Sequence, residues 1–264
     1  MLKPPVALTI AGSDSSGCAG IQADLKTFHA LGVFGTSAIT ALTAQSTRGV
    51  TGILPVDAAF VALQIDTTVD DIPPDAVKTG MLADAGIVDV VADAAARHGF
   101  STFVVDPVMV ATSGARLLEP DAVDAVRERL LPIATLVTPN APEAAVLLGR
   151  SVETADDQEA AARALVDELG ARAALVKGGD LEGDTLTDVL YDGERVHLFR
   201  DPRIVTTSTH GSGCALASAI AAFLARGETL LAAVAHARAW VRRGIETAPP
   251  LGHGRGPLDL FPRA

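Results

Sequence analysis

Residues 6–31 read VALTIAGSDSSGCAGIQADLKTFHAL, and a change of period inside this stretch decides the fold. Val6–Ala11 is a short apolar, partly β-branched run that suits a strand. Beyond the glycines and serines the period becomes helical, with Ile21, Leu25, Phe28 and Leu31 on one face. The same strand-then-helix unit recurs along the chain. Ser37–Leu42 leads to a helix from about Ala58 to Val69, and Ala76–Gly80 to an amphipathic segment with Ile87, Val88, Val91, Ala94 and Ala95. Thr102–Asp106 carries an unbroken Phe-Val-Val that suits a strand buried on both faces. Asp121–Leu131 reads as helix, Thr135–Thr138 as strand, Glu143–Leu148 and Asp156–Leu169 as helices, and Ala173–Lys177 as strand. Ile204–Thr206 continues the strand series, ahead of a helix from Cys214 to about Leu224 and a last helix holding Trp240.

The alternation breaks once. VLYDGERVHLF, residues 189–199, reads as a β-hairpin with Asp192-Gly193 as a two-residue type I′ turn. No repeat, low-complexity segment or Pro/Gly/Ser-rich linker divides the chain, so residues 1–264 read as one α/β domain. Strand–helix alternation with short connections implies a mostly parallel central sheet, helices on both faces and right-handed crossovers.

Composition narrows the function classes. At 48% hydrophobic residues the chain can bury a large core without staples, and two cysteines, Cys18 and Cys214, are too few for a disulfide framework. The N-terminal residues lack the pattern of a signal peptide, and the longest near-apolar run, Cys214–Ala225, falls short of the roughly 18 residues that span a bilayer. A cytoplasmic location and no membrane contact are therefore expected. A net charge of −11 and a pI near 4.9 disfavour nucleic-acid binding, which needs a basic footprint. An anionic nucleotide can still bind through local features such as helix N-termini and single lysines.

In open α/β sheets ligands sit beyond the carboxyl ends of the strands, so unusual residues should follow strands. They do: Gly12-Ser13-Asp14, Thr79-Gly80-Met81, Asp106-Pro107-Val108-Met109, Thr138-Pro139-Asn140, Lys177-Gly178-Gly179 and His210-Gly211-Ser212-Gly213-Cys214. Gly211 and Gly213 open an apolar helix whose first N–H groups, aided by the dipole, suit charge developing on a transferring phosphoryl group. An ordinary glycine turn capping a core helix reads equally well. Cys214 at that N-terminus is a candidate for a lowered pKa and for a base toward an alcohol, although a lone cysteine opening an apolar helix is more often a packed core thiol.

Asn140 and Glu143, three apart at a helix start, are a candidate Mg²⁺ pair or a plain capping arrangement. Asp106 ends a buried strand and needs a partner or ligand. Lys177 is a candidate phosphate contact or a snorkelling lysine. The Gln45 carboxamide can donate and accept side by side, matching an aminopyrimidine edge, though a loop role fits as well. Neither a Walker A pattern nor a GxGxxG fingerprint occurs.

Taken in order, ALTIAGSDSSGCAGIQADLKTF, ALTAQSTRGV, VKTGML, VVDPVM, TPNAPEA, VKGGDLEGD and THGSGC resemble the hydroxymethylpyrimidine/phosphomethylpyrimidine kinases, over essentially the whole chain down to LGHGRGPLD. The resemblance implies a ribokinase-like α/β fold, MgATP as phosphoryl donor and two successive phosphorylations of 4-amino-5-hydroxymethyl-2-methylpyrimidine in thiamine biosynthesis. It implies that Cys214 stands where many ribokinase-like enzymes have a catalytic Asp, with Gly211 and Gly213 in the anion hole and Lys177 on the nucleotide phosphates. Asp106 and Glu143 then belong to the Mg²⁺ region, and Thr138, Asn140, Gly179 and Thr209 surround ATP. Gln45, Gly12, Ala19, Asp24, Met81 and Val108 line the pyrimidine pocket, and a homodimer is the family precedent. Two positions depart from the family: Cys18 replaces a usual Gly, where φ > 0 would be uncomfortable, and Ser212 replaces a usual Thr. The rival readings are a pyridoxal or dual-substrate kinase, and, from another class, a non-catalytic pyrimidine sensor.

Overall fold

A computed structural model describes residues 3–109 and 117–262. Its strands are β1 (Val6–Asp14), β2 (Phe34–Ser46), β3 (Gly49–Pro55), β4 (Ala76–Thr79), β5 (Phe103–Val105), β6 (Leu136–Val137), β7 (Ala174–Val176), β8 (Thr185–Tyr191) and β9 (Val196–Pro202). They form one sheet in the order β3-β2-β1-β4-β5-β6-β7-β8-β9. The six strands from β2 to β7 in that order are parallel neighbours, with β3 antiparallel at one edge and β8 and β9 antiparallel at the other. From β1 the chain first moves outward to β2 and then returns to β4 on the opposite side. The gap between β1 and β4 is thus the switch point where such folds receive ligands.

The helices are α1 (Gly20–Ala30), α2 (Ala58–Asp71), α3 (Ala85–His98), α4 (Pro120–Ala125), α5 (Ala141–Leu148), α6 (Ala155–Asp167), α7 (Ser212–Ala225) and α8 (Leu230–Glu246). Strand alternation sorts the core into two layers. Leu8, Ile10, Val77, Phe103, Val105 and Val137 pack under α2 to α6, whereas Ala7, Val104, Leu136 and Leu175 face α1, α7 and α8. α7 is buried from Ala215 to Phe223, and its run of alanines lets it lie close to both the sheet and its neighbours. Among the described residues no helix is long and apolar enough to cross a membrane.

Four expectations need correction. The alternation breaks twice, because β2 turns back through Thr47-Arg48 into β3, pairing Ser46 with Gly49. Every residue of 51–55 is exposed, so β3 carried no burial pattern to read. The other hairpin turns through Asp192–Arg195, with Tyr191 paired to Val196. The Asp192 carboxylate accepts from the N–H groups of Glu194 and Arg195, and these bonds favour a four-residue loop over a two-residue one. Ile204–Thr206 is not a strand. Finally, the helix at Asp121–Leu131 is α4 followed by a wide turn over Val126–Leu130 and a tight one over Leu131–Ile133, where Pro132 blocks continuation.

Candidate active site

The carboxyl ends of β1, β4, β5 and β7 converge on the N-terminus of α7. At its centre the Lys177 ammonium lies 3.1 Å from Asp106 Oδ1 and 3.9 Å from Glu143 Oε2. A Cβ built on Gly213 would meet Lys177 Nζ at 3.4 Å, which puts the cation directly over the first turn of α7. Burial opposes the Lys177 charge, yet Asp106 and Glu143 outweigh it and raise its pKa. Two carboxylates against one ammonium leave an excess negative charge in a buried place. Burial and the nearby Asp106 together push Glu143 up to about 7, although Lys177 pulls the other way.

The Asn140–Glu143 alternative resolves in favour of a capping box that also faces the cluster. Asn140 Oδ1 accepts from Glu143 N, and Glu143 Oε2 accepts from Asn140 N, both at 2.8 Å. The box fixes the Glu143 carboxylate at the helix start, beside Lys177. Thr138 is fully buried and donates to Asp106 Oδ1 at 2.9 Å, so it supports the aspartate and does not offer its hydroxyl to a ligand. Thr138 and Lys177 both meet Asp106 at Oδ1. Asp106 and Glu143 are hard oxygen donors with surplus negative charge, and they fit Mg²⁺ held between protein and phosphates.

Cys214 lies in the first turn of α7, as expected, but its pKa moves the wrong way. Burial pushes the thiol up to about 11; Lys78 and the Gly20 N–H pull it down, while Asp24 and Asp106 push it further up. Desolvation of a thiolate here exceeds what the helix end returns.

Asp24 also departs from its expected place. It has no exposed surface, and its carboxylate accepts from Thr9 Oγ1, Ser218 Oγ and Lys78 Nζ at 2.6–3.0 Å. The Asp24–Lys78 ion pair is fully buried and close enough to Cys214 to act on its charge.

The remaining expected residues surround this centre. A Cβ on Gly12 would touch Met81 Sδ at 3.0 Å, so these two stand side by side across the switch point. The Ala19 N–H donates to Asp14 Oδ2, and Val108 follows Asp106, partly buried against the core. Gly211, with φ 81, has no room for a Cβ, which would lie 2.0 Å from the Cys18 carbonyl oxygen. The glycine-rich loop after β1 and the turn before α7 therefore dovetail at backbone distance. Thr209 sits on that turn and accepts from Ser212 N through its carbonyl. Among the described non-glycine residues only Ala83 has positive φ; Gly17, not Cys18, takes the left-handed conformation in the loop. Cys18 therefore strains nothing.

Gln45 reaches the same region from the end of β2. Its Oε1 accepts from Thr43 Oγ1 at 3.1 Å, and its Nε2 lies 3.0 Å from His210 Nε2. That ring nitrogen is also 3.2 Å from Asp14 Oδ2. Burial would raise the Asp14 pKa, but bonds from His210, Ser16 and Ala19 hold it down at about 2. His210, Asp14 and Lys78 were missed as individual site residues, though His210 stands directly before the glycine turn and Lys78 is a charge inside an apolar strand. Arg203 was missed as well. It donates to the carbonyls of Gly179, Leu181 and Gly183 and staples the loop after Lys177, so Gly179 reaches the site region as a restrained backbone.

The model of the family described as phosphomethylpyrimidine kinase matches residues 14–259. The chain belongs to the phosphomethylpyrimidine kinase family. A hydroxymethylpyrimidine/phosphomethylpyrimidine kinase of Rhizobium meliloti is 50% identical over 261 residues, covering 98% of this chain and 97% of that protein. The thiamine biosynthesis bifunctional protein ThiED of Geobacter sulfurreducens is 50% identical over 252 residues, or 96% of this chain, which spans only 51% of that longer protein. Among solved structures, an ADP complex of Bacillus subtilis pyridoxal kinase superposes with a TM-score of 0.90 at 38% identity, covering 97% of each chain. These similarities establish the ribokinase-like architecture expected for the family.

Proposed function

We propose that this phosphomethylpyrimidine kinase family member transfers the γ-phosphoryl group of MgATP to 4-amino-5-hydroxymethyl-2-methylpyrimidine. A second transfer then converts the monophosphate to the diphosphate, a step of thiamine biosynthesis. The observation that carries this reading is Lys177 set between Asp106 and Glu143 above the open N–H groups of α7, with Gln45 one loop away.

In the transfer, an oxygen–phosphorus bond forms to the hydroxymethyl group and the bond to the leaving ADP breaks. The Lys177 ammonium and the N–H groups of Gly213 and Cys214, at the start of α7, face the oxygens on which charge accumulates. Mg²⁺, when bound at Asp106 and Glu143, supplies charge neutralisation to the phosphates. Asn140, Gly179 and Thr209 border the nucleotide. With its pKa near 11, Cys214 is a neutral thiol at physiological pH, and only about one molecule in a thousand holds thiolate at pH 8. A loose transition state needs little help from a base, so the alcohol proton leaves late, to a transferred phosphoryl oxygen and on to solvent, and Cys214 shapes the hole as a thiol. Gln45, Gly12, Ala19, Met81 and Val108 border the ring.

ADP release measured with the pyrimidine, with pyridoxal and with neither tests the proposal. Release dependent on the aminopyrimidine supports it; equal turnover of pyridoxal, which the 0.90 TM-score to a pyridoxal kinase makes the second reading, would make the enzyme dual-substrate. A sensor would release no ADP with either compound.

The chain is read as a cytoplasmic enzyme with residues 1–264 as a single kinase domain, working as a homodimer. Register partners Leu42 and Leu54 are 46% and 64% exposed at the β3 edge. Apolar side chains exposed on a sheet edge favour a second copy over water. Light scattering on the purified protein distinguishes dimer from monomer.

A further inference from the structure

Asp14, Cys18 and His210 bring a carboxylate oxygen, a thiol sulfur and a ring nitrogen within 4.8 Å of one another. All three residues are buried. Asp14 and Cys18 belong to the glycine-rich loop after β1, and His210 belongs to the turn before α7, so the trio bridges the two loops that dovetail at Gly211. The 3.2 Å from Asp14 Oδ2 to His210 Nε2 is close to the roughly 3.3 Å edge of a tetrahedron with metal–ligand bonds of about 2.0–2.1 Å.

His210 Nε2 faces Asp14 Oδ2 at 3.2 Å and the Gln45 carboxamide at 3.0 Å. Without a metal, a protonated Nε2 donates to the carboxylate while the Gln45 amide turns its oxygen toward the ring. A cation takes the place of that proton, because it accepts the lone pairs of the carboxylate and the ring together.

We propose that Asp14, Cys18 and His210 form a site for a thiophilic divalent cation, with Zn²⁺ the ion that the ligand set suits. One sulfur, one imidazole nitrogen and one carboxylate oxygen are a zinc set, with a fourth position for water or Gln45 Oε1. Mg²⁺ avoids sulfur and nitrogen, so the site is chemically separate from Asp106 and Glu143. On binding, Cys18 loses its thiol proton to solvent as the sulfur–metal bond forms. Asp14 is already a carboxylate, and the imidazole stays neutral with its proton on the other ring nitrogen. Two negative ligands balance the dication. The bound ion pins the glycine-rich loop to the turn before α7 and occupies the nitrogen that faces Gln45. On the function proposed above, it slows entry of the pyrimidine ring. The site itself does not depend on that function.

The test is a titration of the metal-free, full-length protein with Co²⁺, followed by Zn²⁺ competition against a chromophoric chelator. Wild type should take up one Co²⁺ with a near-ultraviolet thiolate-to-metal charge-transfer band. Cys18→Ala should lose the band and weaken Zn²⁺ binding by more than the roughly 100-fold seen for outer-shell partners. Cys214→Ala should keep the band, which assigns the sulfur. Cys18→Ser and His210→Ala provide second variants if one fails to fold, and both should weaken Zn²⁺ binding. Absence of the band in wild type overturns the proposal. So does a band that survives in Cys18→Ala and vanishes in Cys214→Ala, or Zn²⁺ affinity that is unchanged in Cys18→Ala. Because no readout requires turnover, the site is tested even if the enzyme phosphorylates another ring.

Discussion

Replacing Glu143 by Gln should stabilise the free protein at pH 8 while damaging its handling of metal and nucleotide. The cluster contains Lys177 against two carboxylates, so ionising both leaves one buried negative charge unbalanced. This is why Glu143 stands at about 7 against an ordinary 4.5, a difference that corresponds to about 3 kcal/mol. The sign follows from linkage. A carboxyl that ionises later in the folded than in the unfolded chain favours the folded state at low pH, and that advantage is lost as pH rises from 4.5 through about 7. The substituted glutamine would be neutral throughout and can still complete the capping box with Asn140, since glutamine serves at that position.

Thermal unfolding of wild type and Glu143→Gln, at pH 5 and pH 8 without Mg²⁺ or nucleotide, reads the effect. Groups common to both proteins cancel in the difference. The variant's advantage should grow between the two pH values by an amount on the order of 5 °C, given roughly 2–4 °C per kcal/mol for chains near this size. In the same variant kcat should fall sharply, while calorimetry finds the pyrimidine bound nearly as before. A stability difference that stays constant or shrinks with pH would refute the reasoning. Glu143 would then be an ionised structural partner of Lys177.

Cys214→Ser should slow the alcohol step and the monophosphate step by similar factors, within about threefold, because burial keeps the thiol protonated. A loss on the alcohol step on the order of 100-fold greater, with each substrate assayed separately at pH 8, would restore the role of base. Wild type should prefer the aminopyrimidine over pyridoxal by at least about tenfold in kcat/KM, or about 1.4 kcal/mol. Gln45→Met should shrink that ratio, and an unchanged ratio would remove Gln45 from specificity. Lys78→Met should destabilise the fold by about 3–5 kcal/mol in denaturant unfolding, because Asp24 is left charged and buried. A cost below about 1 kcal/mol would show that Asp24 simply protonates.

Element order and the placement of the site were already present in the sequence, because both follow from local rules. Strands and helices differ in period, and Val6–Ala11 followed by Ile21, Leu25 and Phe28 announces that change within one stretch. Residues that break an apolar run at its end, such as Asp106, Lys177 and Gly211, mark the ligand edge of a parallel sheet. β3 was invisible for a related reason: an edge strand exposed along residues 51–55 buries nothing and shows no alternation.

What only the tertiary structure decided is how charges settle where separate strands meet. Asp24 and Lys78 are 54 residues apart, and nothing along the chain indicates that they pair in full burial. The helix dipole favours a thiolate at Cys214, yet desolvation, which depends on everything packed around the sulfur, is larger and reverses the outcome. His210 and Asp14 are 196 positions apart, and they face each other because Gly211 allows the turn before α7 to press onto Cys18. Proximity in sequence governs hydrogen-bonded turns and periods, whereas electrostatic energies depend on distance and burial in space.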